Sequence, residues 1–150
     1  MNRLTLLLML ALLPWAASAE QTDETHGGLR FDVEWMHPMR GASSSVPWGY
    51  YVELNLDSAW VCLPYRGEAH EPTTDDDGLN FGRPVAVKDL RISMKDTKKG
   101  LHYRELTFRC RRNIAWYAFR IRLFPEGQAR IDVRPQHADA ISFDARYEEP

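Results

Sequence analysis

From residue 29 onward, apolar residues recur at every second position in one short run after another. Side chains two apart share a face of a β-strand, whereas a helix face needs spacings of three and four. Each run therefore predicts a ribbon with one face turned to a common interior and one to water. No stretch beyond residue 19 carries the helical period. The chain is predicted to be all-β.

The runs can be placed. Phe31, Val33 and Trp35 alternate with Asp32 and Glu34 until His37-Pro38, and the Ser-rich stretch from Gly41 to Pro47 reads as a loop. Tyr50, Val52, Leu54 and Leu56 form the next strand. A two-residue turn at Asp57-Ser58 would then face Leu56 with Ala59, Leu54 with Val61 and Val52 with Leu63, leaving Trp60 and Cys62 on the opposite side. Pro64 to Asn80 is the longest loop-like stretch. Leu90, Ile92 and Met94 precede a turn over Asp96 to Gly100, and Leu106, Phe108 and Cys110 follow it. The best-specified hairpin joins Tyr117–Phe124 to Ala129–Arg134 through Pro125-Glu126-Gly127. An odd loop faces Ile121 with Ile131, Phe119 with Val133 and Arg120 with Asp132; an even one would set arginines beside the core. Ile141, Phe143, Ala145 and Tyr147 make the last strand. Seven or eight strands joined by turns too short for parallel crossovers predict an antiparallel meander, curled into a barrel or half-barrel, with a two-layer β-sandwich as the alternative.

Met1 to Ala19 is a different kind of segment. Arg3, the apolar run Leu4 to Leu13 and the small residues Ala17-Ser18-Ala19 are the parts of a secretory signal peptide cut between Ala19 and Glu20. The run is too short to span a membrane, and no cysteine adjoins the cut, which argues against a lipoprotein. The expectation is a soluble exported protein: a flexible polar segment over residues 20–28, then one all-β domain over 29–150. Nineteen Lys and Arg stand against 21 Asp and Glu, a balance that points to neither nucleic acid nor a membrane surface. Cys62 and Cys110 are the two cysteines. Export favours a disulfide between them, worth at most about 4 kcal/mol on the chain-entropy model. Strand parity opposes it, since Cys110 falls among apolar neighbours and Cys62 does not.

Five segments in order resemble a secreted bacterial family, domain of unknown function 4251. They are Met36-His37-Pro38-Met39 with Gly41, Leu63-Pro64-Tyr65-Arg66-Gly67-Glu68-Ala69, Gly78-Leu79-Asn80-Phe81, Phe124-Pro125-Glu126-Gly127-Gln128-Ala129, and Ile141-Ser142-Phe143. The chain departs from the family at Arg66, where Phe is usual, and at Glu68, where a basic residue is usual. The resemblance implies a periplasmic or outer-membrane-facing protein of the Gram-negative envelope. It brings no established activity, cofactor or catalytic residue.

The search for chemistry is sparse. The histidines are scattered, and only Glu68-x-His70-Glu71 groups metal-ligand types closely; a solvated polar loop is the favoured reading of it. Asp75-Asp76-Asp77-Gly78 lacks EF-hand spacing. Ser43, Ser44 and Ser45 lie in a loop with no identifiable base, and no nucleophile elbow, phosphate loop or zincin motif occurs. Arg109, Arg111, Arg120, Arg122, Arg130 and Arg134 share the polar side of adjacent strands, either as a docking stripe or as a solvated face partnered by Asp132 and Asp144. The turns at Met36, His37, Pro38 and Met39 and at Pro64, Tyr65, Arg66 and Gly67 end strands with rigid prolines and display aromatic or polarisable side chains. These features predict a non-enzymatic envelope module, without metal or cofactor, that binds an apolar or amphiphilic ligand or a partner. The rivals are an adaptor docking through Arg120 and Arg122, and a hydrolase, which would need a Ser–His pair or two carboxylates in a cleft.

Overall fold

A computed structural model describes residues 28–65 and 79–148. Nine strands occur in it: β1 (Leu29–Pro38), β2 (Ser44–Ser45), β3 (Tyr51–Leu54), β4 (Ser58–Cys62), β5 (Val85–Asp96), β6 (His102–Arg112), β7 (Ala115–Leu123), β8 (Gln128–Pro135) and β9 (Ile141–Arg146). From β3 to β9 each strand pairs antiparallel with the next, β3 pairs with the first half of β1, and β9 returns to pair with β1 from Asp32 to Pro38. The meander thus closes into an eight-stranded barrel, with β2 an extra short strand against β1. Unbroken pairing around the wall rules out the sandwich.

Closure gives the alternating apolar residues a common destination. Phe31, Met36, Leu63, Leu106, Phe108, Ile121, Leu123, Ile131 and Phe143 are all fully buried, and the Phe108 and Phe119 rings stack at 4.9 Å. Eight strands enclose a width that side chains can fill or that can hold one small ligand; here the buried apolar side chains form one continuous cluster within it. The interior is a packed core rather than a ligand chamber.

Register follows the prediction most closely where the turn dictates it. The β7–β8 hairpin pairs Leu123 with Ala129, Ile121 with Ile131, Phe119 with Val133 and Arg120 with Asp132. Its loop carries two left-handed residues, Glu126 (φ 66°) and Gly127 (φ 74°). Elsewhere the structure corrects the expectation. Leu54 pairs with Ala59 and Val52 with Val61, a slip of two residues that keeps every inward face but pushes Leu56 into the turn, 37% exposed. A bulge between Val33 and Trp35 shifts the β1–β9 register, so inward parity passes from Trp35 (47% exposed) to fully buried Met36. The expected 41–47 loop contains β2. In β5, Ile92 is buried and Met94 exposed.

The cysteines are free. Cys110 lies inside the barrel, where burial pushes its thiol up to about 12, while Cys62 pairs across from Tyr51 on the outward parity of β4. Parity decides against the expected bridge. Signal-peptide cleavage at Ala19 and Glu20 lies outside the described residues.

Candidate functional site

With the interior filled, polar chemistry sits on the outer wall of β5–β9 and β1. Antiparallel register stacks outward residues into rows. One runs Arg91, Thr107, Arg120, Asp132, Ser142, His37 across successive strands; the next runs Ser93, Glu105, Arg122, Arg130, Asp144, Trp35. Arg122 and Arg130 are direct cross-strand neighbours, a like-charge pair that costs stability unless an anion sits between them. Asp132 is that anion. Its Oδ2 accepts from Arg122 Nη2 at 2.7 Å and Arg120 Nε at 3.1 Å, and its Oδ1 accepts from Ser142 Oγ at 2.6 Å. Burial pushes the Asp132 carboxyl up, but the Ser142 hydrogen bond and the Arg122 and Arg120 guanidinium groups outweigh it and hold it below its ordinary value. Arg120 and Arg122, read from the sequence as docking residues, are therefore already engaged.

The third row, Arg109–Ala118–Arg134, has a methyl group where its neighbours carry long side chains. The gap opens a groove of about 650 Å³, lined by four arginines (Arg91, Arg109, Arg120, Arg134) and two aspartates (Asp89, Asp132). Ala118, Ala140 and the wall at Val133 and Ile141 give it an apolar floor. Arg109 Nε donates to Asp89 at 2.9 Å. Arg91 and Arg134 form no ion pair with a described residue.

A second constellation lies at the end of the first row. The β1–β2 register faces Trp35 with Ser45 and Met36 with Ser44; one step further, Ser43 faces His37. Val46 N–H donates to Glu34 C=O at 2.9 Å, so by alternation His37 and Ser43 form a non-hydrogen-bonded pair, the kind in which side chains approach most closely. Ser43 Oγ lies 2.7 Å from His37 Nδ1, and His37 Nε2 lies 2.7 Å from Asp144 Oδ2. Asp144 Oδ1 in turn accepts from Arg130 Nη1 at 3.1 Å. An ionised carboxylate only accepts, so Nε2 carries the hydrogen and Nδ1 is left to accept the Ser43 hydroxyl. The Ser43–His37 contact is local to the β1–β2 pairing, whereas Asp144 arrives across the barrel's closing seam.

The two turns favoured from the sequence divide differently. In the first, Met36 is core, His37 lies on the outer wall, Pro38 is half-buried and Met39 exposed. In the second, Pro64 is buried and Tyr65 donates its hydroxyl hydrogen to Asp139 C=O at 2.9 Å. Arg66, Gly67, the Glu68–Glu71 group and Asp75–Asp77 lie outside the described residues. Among the described residues no three His, Cys, Asp or Glu side chains gather as metal ligands, and no helix is long and apolar enough to cross a membrane.

No curated protein sequence shows significant similarity to the chain. The model of a domain of unknown function, DUF4251, matches residues 25–145, nearly the whole of the barrel just described, and the chain belongs to that family.

Proposed function

We propose that this is an exported binding module whose ligand, a small amphiphile with an anionic head, lies in the outer-wall groove rather than inside the barrel. The carrying observation is the pair of guanidinium groups, Arg91 and Arg134, that line the groove and have no carboxylate partner among the described residues. Every other groove arginine has an aspartate within hydrogen-bond reach. Four cations against two anions leave the groove net positive, and planar guanidinium groups match a carboxylate or phosphate head. The alanine floor suits an apolar body. Docking of an acidic protein through Arg120 and Arg122 is less well supported, because Asp132 holds both.

The test is calorimetric titration with a short alkyl phosphate and with inorganic phosphate. Arg134→Ala and Arg91→Ala should each weaken alkyl phosphate binding about tenfold or more, the size of one charge-assisted hydrogen bond. Ala118→Leu should fill the gap and abolish binding without lowering the melting temperature. Equal binding by all three variants and the parent would overturn the proposal.

A further inference from the structure

A second site, independent of the groove, stands on different residues. We propose that Ser43, His37 and Asp144 form a nucleophile–base–carboxylate relay that hydrolyses carboxylic esters. Three geometric conditions for such a relay are met. The nucleophile touches its base, with Ser43 Oγ 2.7 Å from Nδ1. The base touches its orienting acid, with Nε2 2.7 Å from Asp144. The nucleophile is also open to substrate, since Ser43 is exposed one residue before β2, a strand that among the described residues pairs only with β1.

The same register supplies an electrophilic contact. At a non-hydrogen-bonded position the backbone N–H points away from the partner strand, so the Ser43 amide projects from the free side of β2. There it can donate to the oxyanion that forms when its own side chain attacks. Trp35, 47% exposed and directly opposite Ser45, offers a face for the alcohol portion of the ester.

The steps balance. Ser43 Oγ attacks the acyl carbon as its proton passes to His37 Nδ1, giving a tetrahedral oxyanion and an imidazolium beside the Asp144 carboxylate. The carbon–alkoxy bond breaks and the leaving alcohol takes the proton from Nδ1, leaving acyl-Ser43. Water then gives a proton to Nδ1 and adds to the acyl carbon. The Ser43 ester bond breaks, Ser43 recovers its proton from Nδ1, and the carboxylic acid departs. Ser43 and His37 are the catalytic residues; Asp144 positions.

The test uses the purified chain and p-nitrophenyl acetate. The parent should turn it over and, quenched in acid, yield one acetyl group on the peptide containing Ser43. Ser43→Ala should lose that label and about a hundredfold or more of kcat/KM, with an unchanged thermal melt. A surface imidazole alone also cleaves activated esters, so activity retained in Ser43→Ala would overturn the proposal. So would an acetyl group found only on lysines. Asp144→Asn should lower kcat with KM unchanged, because the amide no longer fixes the tautomer; an unchanged kcat removes Asp144 from the relay.

Discussion

Asp132 is where the outer wall can be tested most directly. Replacing it with alanine removes the anion between Arg122 and Arg130, which face each other across β7 and β8. Arg122 Nε and Arg130 Nε are already buried without an acceptor, and of the two guanidinium groups Arg130 alone keeps a hydrogen bond to a described residue, Asp144, once Asp132 is gone. A hydrogen bond to a charged group contributes roughly 1.5–3 kcal/mol net, whereas fully exposed ion pairs contribute roughly 0–1. The Asp132 side chain is 21% exposed, between these cases, and Asp132→Ala should cost about 2 kcal/mol. For a domain of this size that is roughly 8 °C in Tm. The pH dependence has a definite sign. The folded carboxyl titrates below its ordinary value of 3.8, so its contribution is complete above that value and disappears as pH falls through the lower folded one. Melts of the parent and Asp132→Asn should differ by a constant amount at neutral and mildly acidic pH and converge in strong acid. A Tm within about 1 °C of the parent at neutral pH would refute the view that Asp132 holds the rows together.

Other perturbations separate the turn, the core and the thiols. A Cβ on Gly127 would sit 2.6 Å from Tyr147 O at φ +74°, whereas one on Gly100 (φ +81°) meets nothing within 4 Å. Gly127→Ala should therefore cost roughly 3 kcal/mol and Gly100→Ala roughly 1, the left-handed term alone; equal urea midpoints would contradict this. Ile131, fully buried opposite Ile121 and Phe143, should cost roughly 3–4 kcal/mol when truncated to alanine, read from denaturant titration. Iodoacetamide should alkylate Cys62 in the folded protein and reach Cys110 only after unfolding. Intact mass should show two free thiols, and a mass for the bridged form would disprove the inside–outside placement.

How far the fold was legible depended on what each signal could discriminate. The β7–β8 register was readable because Pro125-Glu126-Gly127 fixes an odd loop and both faces, Ile121 with Ile131 and Arg120 with Asp132, demand the same answer. At β3–β4 a slip of two residues leaves all inward faces intact, so the hydrophobic pattern could not separate Leu54–Val61 from the observed Leu54–Ala59. The β1 bulge leaves no mark either, since Trp35 and Met36 are both apolar and either can serve as the inward residue. Ser43 meets His37 through the local β1–β2 pairing, but Asp144 joins them only because β9 returns to β1. Strand periodicity says that a face is buried but not which edges close, so a contact between residues 37 and 144 had no precursor in the sequence.

The same limit applies to the barrel's interior. Inward aromatics such as Phe108, Phe119 and Phe143 pointed to a curled sheet, yet alternation reports only that one face leaves water. An eight-stranded wall can enclose either packed side chains or one small ligand, and here the Phe108, Phe119 and Phe143 rings are buried inside it. The proposed binding site therefore lies on the outer wall, where an exposed sheet face otherwise asks only for mixed, laced charge. Most of the wall meets that requirement: Arg120 and Arg122 on Asp132, Arg109 on Asp89, Arg146 on Glu34. The rows depart from it twice, at the methyl gap of Ala118 between Arg109 and Arg134, and at His37, a titratable ring set between a hydroxyl and a carboxylate. Neither departure fills the core, although the His37–Asp144 contact spans the β1–β9 seam. If both serve chemistry, Ala118→Leu should remove alkyl phosphate binding and spare esterolysis, Ser43→Ala should do the reverse, and both should melt with the parent. A shared loss of stability would instead return these residues to the fold.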